Sequence, residues 1–334
     1  MKAVRFTGLS QQLVLEQLPD PTPGEGEVVV RVARCGICGS DLHMAEDPAF
    51  GAAPGDVFGH EFAGEVVALG KGTEGLATGD LVSVIPLKSC GKCQHCRKGE
   101  VQWCDKFGLQ GGGYAEFALT RPNQCVKLPR SASLADGAII EPLAVALHGV
   151  RLSGLRSGDK VLVLGAGPIG LAVAFWAKRL GAKRVVVQDL ADWQRTRALE
   201  MGADGFIADA ADPVGASDRA FAGRKPDIVF ECVGVPGLIA QAVQQVRNRG
   251  TVLLLGLCTR PDTIDSFAML SKEVRLLTSA FFTRQDYEQA LDALGAGAAE
   301  PRLLVTGTIG LDETPEMFEA LKHRTHQCKV LIAP

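Results

Sequence analysis

The aliphatic run Val161-Leu162-Val163-Leu164 breaks into Gly165-Ala166-Gly167-Pro168-Ile169-Gly170, and no other feature of the 334 residues narrows the fold as sharply. Glycines at G-x-G-x-x-G spacing permit a tight turn and let the backbone approach a pyrophosphate, which rests on the N-terminus of the helix that follows. Pro168 suits that first helical turn, because its missing N–H would have no partner there anyway. Asp189 closes the next aliphatic run, 19 residues after Gly170, where an acid takes the ribose hydroxyls of a dinucleotide. Such a carboxylate accepts from both hydroxyls of NAD and repels the additional phosphate of NADP. Arg195, following Gln194, softens that discrimination without reversing it. Strand, glycine turn, helix and acid together predict NAD binding at Gly165, Gly167, Pro168, Ile169, Gly170 and Asp189.

The alternation continues downstream. Val185–Val187 reads as a strand, 192–201 as a helix, and Asp227–Glu231 and Thr251–Leu255 as further strands. Strands alternating with helices predict a parallel sheet covered on both faces, a doubly wound α/β domain. The first third is different. It is rich in Gly and Pro, and its short β-branched runs (Val28–Val32, Glu65–Leu69, Leu81–Ile85) predict an irregular, mostly β domain. From about Phe281 the tail carries two helical segments and a last strand, Lys329–Ile332, and is expected to return to the first domain. The expected division is therefore 1–147, with a cysteine lobe at 90–104, then 148–279, then a returning segment 280–334.

Thirty-five Lys and Arg against 38 Asp and Glu leave a formal charge of -3, which gives no electrostatic reason to expect nucleic acid or an anionic membrane as partner. Neither an N-terminal export signal nor a bilayer-length apolar run is recognisable, so a cytoplasmic protein is expected. In that compartment the ten cysteines read first as metal ligands and not as disulfides.

Cys90, Cys93, Cys96 and Cys104 form C-x2-C-x2-C-x7-C. Four thiolates brought round by tight turns close a tetrahedral zinc shell, the pattern of a structural site; an iron–sulfur cluster would use the same four sulfurs. His95, inside the loop, is expected to stay in solvent. Three other segments carry good ligands: Cys35-Gly36-Ile37-Cys38-Gly39-Ser40-Asp41-Leu42-His43, Gly59-His60-Glu61, and Ile140-Glu141-Pro142-Leu143. One thiolate, one imidazole and one carboxylate would make a zinc site with an open fourth position, although Cys35 and Cys38 alone could equally be a redox pair.

Cys35 to His43 resembles the C-G-[IV]-C-G-[ST]-D-x-H segment of the zinc-dependent medium-chain alcohol dehydrogenases. Gly59-His60-Glu61 with Gly64 and Gly70 resembles that family's zinc signature, with Thr73 where a small or aliphatic residue is usual, and the four-cysteine loop resembles its structural-zinc lobe. The liver-type enzymes place a second cysteine where this chain has Glu141, so the resemblance is to the sorbitol, threonine and butanediol dehydrogenase branch. It implies a GroES-like catalytic domain joined to a Rossmann domain, and two zinc ions per subunit. Catalytic zinc would lie on Cys38, His60 and Glu141, and structural zinc on Cys90, Cys93, Cys96 and Cys104. Cys35 becomes a packed neighbour, Glu61 a carboxylate behind the metal that exchanges with water, and Asp41 the group that orients the zinc-bound imidazole.

The implied reaction passes a hydride between a secondary alcohol, or its ketone, and NAD, with the alkoxide held on catalytic zinc. Ser40 and His43 would carry the proton to the surface. A polyol or a threonine-type 3-hydroxy compound is the alternative substrate, but the apolar side chains of Met44–Phe50, Phe107–Leu109 and Phe281-Phe282 favour an apolar alcohol. His148 reads as a packing residue, and His323 and His326 as solvated helix positions. A homotetramer or homodimer is implied. Two rival readings remain: a zinc-ribbon binding module, disfavoured by the acidic balance and the complete dinucleotide unit, and a zinc-free quinone or enone reductase, which typically lacks these ligands.

Overall fold

The computed structural model describes residues 1–323 and 326–334. The chain forms two compact units, one of Met1–Glu141, Thr283–Ala298 and Val305–Pro334, the other of Pro142–Phe282 and Ala299–Leu304. The division falls between Glu141 and Pro142, in the first turn of the helix Ile140–Leu152, whereas the sequence placed it at 147/148, further along the same helix. Six residues of the tail also belong to the second unit.

In the second unit six strands form one parallel sheet, in the spatial order Gly205–Ile207, Arg184–Gln188, Lys160–Leu164, Ile228–Glu231, Thr251–Leu254 and Arg275–Thr278. Val161, Leu162 and Val163 are fully buried, as are Val185, Val186 and Val187, as expected of strands covered on both faces. Chain order reverses beside Lys160–Leu164, whose neighbours are the second and fourth strands of the sheet. The crevice for a ligand opens there, at the carboxyl ends of the strands, and there the helix Pro168–Arg179 begins.

In the first unit the strand Val28–Gly36 is the centre of a seven-stranded sheet. It pairs antiparallel with Glu61–Leu69 on one side and with Lys329–Ile332 on the other, and Phe117–Thr120 also joins it. Register places Gly36 opposite both Glu61 and Leu331. The tail thus closes the sheet at the end where the ligand segments converge. Val30, Phe62, Val66, Val82, Val84 and Tyr114 belong to the core beneath it.

The helix expected over 192–201 is a 3-10 turn, Asp192–Gln194, followed by a short helix, Arg195–Glu200. His323 and His326 are exposed, but both follow the helix Thr314–Leu321, which ends before them. Among the described residues no helix is long and apolar enough to cross a membrane.

Candidate metal and cofactor sites

The lobe Cys90–Cys104 collects its four sulfurs by short-range geometry. Gly91 and Gly99 take positive φ angles of 70° and 79°, and the single turn Gln94–Arg97 lies between them. Cys93 Sγ lies 3.5 Å from Cys96 Sγ, and Cys90 Sγ 4.0 Å from it. Backbone N–H groups already point at sulfur: that of Cys93 donates to Cys90 at 3.4 Å, and those of Cys90 and Lys106 donate to Cys104 at 3.3 Å. Backbone N–H donors from Lys92 and Cys93 draw the Cys90 thiol down to about 6, whereas desolvation pushes Cys96 up to about 11. All ten cysteines are free, and these four have mutually close donor atoms able to hold one ion. His95 lies outside the set and hydrogen-bonds Glu100 at 3.1 Å. A strong chelator is expected to strip this lobe and open residues 88–109 to limited proteolysis, because ion binding and loop folding are one process. A lobe that stays protease-resistant without metal would show that the thiols pack unaided.

The second donor set is built across the sheet. Cys38 precedes the helix Gly39–Glu46, and Glu61 opens the strand Glu61–Leu69. Donor atoms of Cys38, His60 and Glu61 all lie within 4.8 Å of one another. His60 is 4% exposed and Cys38 is half-buried. The pole is thus dry on the protein side and reachable from the other.

Asp41, 1% exposed, organises this pole. One oxygen faces His60 Nδ1 at 3.1 Å, while the other accepts from the Tyr114 hydroxyl at 2.6 Å and from the Cys38 N–H at 3.1 Å. Burial alone would raise the Asp41 pKa, but the charge and hydrogen bonds of His60, with those of Tyr114 and Cys38, bring it below its ordinary value. Burial likewise works against a charged His60, yet Asp41, with Cys38 adding to it, outweighs burial and raises that pKa well above 6.5. An acceptor on Nδ1 fixes the tautomer and leaves Nε2 for an ion. Such a donor set fits zinc.

Both carboxylates of interest are buried here. Glu61, 1% exposed, accepts at 2.7 Å from the ammonium of Lys329, itself 2% exposed, which also donates to the Ile37 carbonyl at 2.9 Å. Burial would lower the Lys329 pKa, but Glu61 and Cys38 raise it above the usual lysine value. Gly36 makes the pair possible: a Cβ there would stand 2.0 Å from Glu61 Oε2. That oxygen has no aligned hydrogen-bond donor. Glu141, the carboxylate singled out from sequence, lies outside the 4.8 Å group. It is 6% exposed, and its carboxyl is pushed up to about 7 by burial, with His60 opposing and Glu61 adding to the rise. Cys35 is fully buried and its thiol donates to the Gly36 carbonyl. Ser40 Oγ donates to Cys38 Sγ at 3.2 Å. His43 is half-buried on the same helix, with Phe50 stacked 6.4 Å away.

Tyr114 and Lys329 are the functional neighbours that sequence reading missed. A tyrosine after Gly111-Gly112-Gly113 and a lysine opening a buried strand were the available signals.

In the second unit Gly165 turns with φ +100° beneath Val233 and Cys232. At Gly170 a Cβ would stand 1.9 Å from the Gly165 carbonyl oxygen, so only glycine closes this turn. Gly167 faces open space, the cradle that a dinucleotide phosphate needs. Pro168 is the first residue of the helix and Ile169 the second, both half-buried. Asp189 accepts from the Ala166 N–H at 2.7 Å and the Ala191 N–H at 2.8 Å, which fixes its carboxylate beside the glycine turn. Arg195 is held by Asp192 Oδ1 at 2.5 Å and the Phe206 carbonyl at 3.1 Å. His148 is half-buried on the helix Ile140–Leu152.

Comparison with known proteins agrees with this geometry. Residues 24–130 match the alcohol dehydrogenase GroES-like domain and residues 168–296 the zinc-binding dehydrogenase family. A sorbitol dehydrogenase of Halalkalibacterium halodurans is 32% identical, over 96% of this chain and 95% of its own. The (R,R)-butanediol dehydrogenase of Bacillus subtilis is 32% identical over 100% of both. A zinc-binding dehydrogenase from Sinorhizobium meliloti 1021, whose structure was solved bound to NADP, is 32% identical, with a TM-score of 0.91 over 100% of this chain and 99% of its own. With its two donor sets and glycine turn in this order, the chain belongs to the zinc-dependent medium-chain alcohol dehydrogenases, in the branch of the sorbitol and butanediol dehydrogenases.

Proposed function

We propose that the chain oxidises secondary alcohols, or reduces the matching ketones, with NAD. The carrying observation is the convergence of Cys38, His60 and a buried carboxylate at one pole, with His60 aimed by Asp41. Bound zinc supplies Lewis-acid polarisation of the alcohol oxygen or carbonyl, and the nicotinamide supplies the hydride acceptor. Cys38 and His60 hold the catalytic ion. Glu61 stands within the donor set, while Glu141 lies outside it but feels the charges of His60 and Glu61; the two carboxylates are alternatives for the third position. Cys90, Cys93, Cys96 and Cys104 hold the structural ion. The glycine turn takes the pyrophosphate, and Asp189 selects NAD by accepting from the ribose and repelling a phosphate there. Arg195 is engaged elsewhere, which supports that selection.

In this reading Ser40, whose hydroxyl lies beside Cys38, takes the alcohol proton, and His43, three residues on, passes it to solvent. Ser40→Ala is expected to slow hydride transfer about 10²-fold or more with zinc content unchanged. Single-turnover absorbance at 340 nm, read beside metal quantification, checks this, and parental turnover would remove Ser40 from the path.

A polyol is a second reading favoured by a specific observation: the cavity beside His60 is lined by Met44 and Leu109, but also by Asp56, Lys88 and Gln110. Ten free thiols support a reducing, cytoplasmic setting, and a homotetramer or homodimer is proposed from the resemblance. The reading is tested by following absorbance at 340 nm with a panel of diols, polyols and apolar secondary alcohols, with NAD and NADP in parallel. No reduction of either cofactor by zinc-loaded protein would refute it.

A further inference from the structure

Two cavities of the first unit share a wall. One, of 290 Å³, reaches the donor set at His60 and is lined also by Asp41, Asp56 and Lys88. The other, of 550 Å³, lies beside the cysteine lobe and is lined by Lys92, Lys106, Arg121 and Glu27. Lys88 and Gln110 line both. Lys88 ends the short strand Leu87–Lys88, which pairs with Gly108–Leu109. Gln110, 7% exposed, is fixed by its amide, which donates to the Gly111 carbonyl at 2.7 Å and the Leu119 carbonyl at 3.0 Å.

The charge lining the larger cavity is one-sided. Lys88, Lys92, Lys106 and Arg121 face a single carboxylate, Glu27, which accepts from the Gly24 N–H at 3.0 Å. Among the described residues, none of the four cations forms an ion pair. A zinc-loaded tetrathiolate would carry two net negative charges (four thiolates against one divalent ion), which still leaves the lining of the larger cavity positive by one. Asp56, on the smaller cavity, caps the Ala53 N–H at 2.8 Å. Unpaired cations along a concave wall focus potential on an anion, and their N–H donors bind anionic oxygens more strongly than neutral ones.

The geometry points to an anionic polyhydroxy alcohol as substrate, its reacting hydroxyl at the Cys38–His60 pole and a carboxylate or phosphate at its far end, held by Lys88 and the cations beyond. The inference rests on the dehydrogenase reading above and deepens it. The reaction balances as for any secondary alcohol: the carbinol C–H leaves as hydride to NAD, the O–H proton goes to solvent, a carbonyl forms, and the anionic group is unchanged. Lys88 is then a specificity residue, acting on the end of the molecule that does not react.

The test compares kcat/KM of the zinc-loaded enzyme for a neutral polyol, the aldonate of equal length and the polyol phosphate of equal length, all with NAD. One of the two anions is expected to exceed the neutral compound about 10- to 100-fold, the range of one charge-assisted hydrogen bond, and which anion wins identifies the group. Lys88→Gln should lower that anion-to-neutral ratio by about tenfold, Lys88→Arg should keep it, and added salt should raise KM for the anion more than for the neutral compound. The ratio is insensitive to general loss of activity. Turnover of neutral alcohols with no anion preference, or a ratio unmoved both in Lys88→Gln and in the triple variant Lys92→Gln, Lys106→Gln, Arg121→Gln, overturns the inference; the cations then only offset the tetrathiolate. Absence of turnover with every alcohol would instead overturn the dehydrogenase reading beneath it.

Discussion

Alcohol oxidation is expected to fall by about 10³-fold or more when His60 becomes Ala or Cys38 becomes Ser. Losing the ion removes several kcal/mol of stabilisation from the transition state, and each 1.36 kcal/mol is about a tenfold change in rate. Neither change touches the cysteine lobe, whose four sulfurs form a separate donor set. The variants should therefore retain one zinc per chain and lose the other, and keep a cooperative unfolding transition. Metal analysis beside the 340 nm assay distinguishes the outcomes. Folded protein with half the metal and the parental rate would show that this pole does not carry the chemistry. His60→Ala has a second consequence: the carboxylate of Asp41, 1% exposed, loses its imidazole partner and keeps only the Tyr114 hydroxyl and the Cys38 N–H.

The second large effect is on stability. Lys329→Met should destabilise the protein by about 3–5 kcal/mol, the cost of leaving one member of a buried ion pair uncompensated. Both partners are almost wholly buried, so screening by solvent offers little relief. Adding Glu61→Gln should recover much of the loss, because removing both charges removes the desolvation problem with them. The pH dependence follows from the raised Lys329 pKa. A cation favoured by folding contributes fully below the ordinary lysine value of about 10.4 and loses its contribution as pH climbs through the raised one. The gap between parent and single variant should thus be flat across neutral pH. Denaturant unfolding at several pH values measures it, with every protein carrying Cys38→Ser so that only the cysteine lobe holds zinc and no ion compensates Glu61. A single-variant loss under about 1 kcal/mol, no more than an exposed pair contributes, would mean that the pair is not a structural tie.

Features that depend on near neighbours in the chain were legible beforehand. The glycine turn could be read because all three glycines act within six residues: Gly165 takes a positive φ, Gly170 touches the carbonyl of Gly165, and Gly167 leaves space. The cysteine lobe was legible for the same reason, its sulfurs gathered by turns only a few residues long. Buried strands such as Lys160–Leu164 announced themselves as unbroken aliphatic runs. By contrast, Arg275–Thr278 and Val305–Ile309 have mixed composition and become strands only because an existing edge accepts their hydrogen bonds.

Chain order and residue type were thus enough for the kind of molecule this is: a parallel nucleotide-binding sheet, a β domain, one closed and one open set of soft ligands. Which groups meet at the open set depended on packing. Lys329 reaches Glu61 across 268 positions, and the Tyr114 hydroxyl reaches Asp41 across 73. Glu61, more than Glu141, shares the space of Cys38 and His60 because Gly36 lets its carboxylate in beside the returning tail. Partners separated by that much chain leave no periodic trace, since their proximity comes from strand register and from side chains excluding water together.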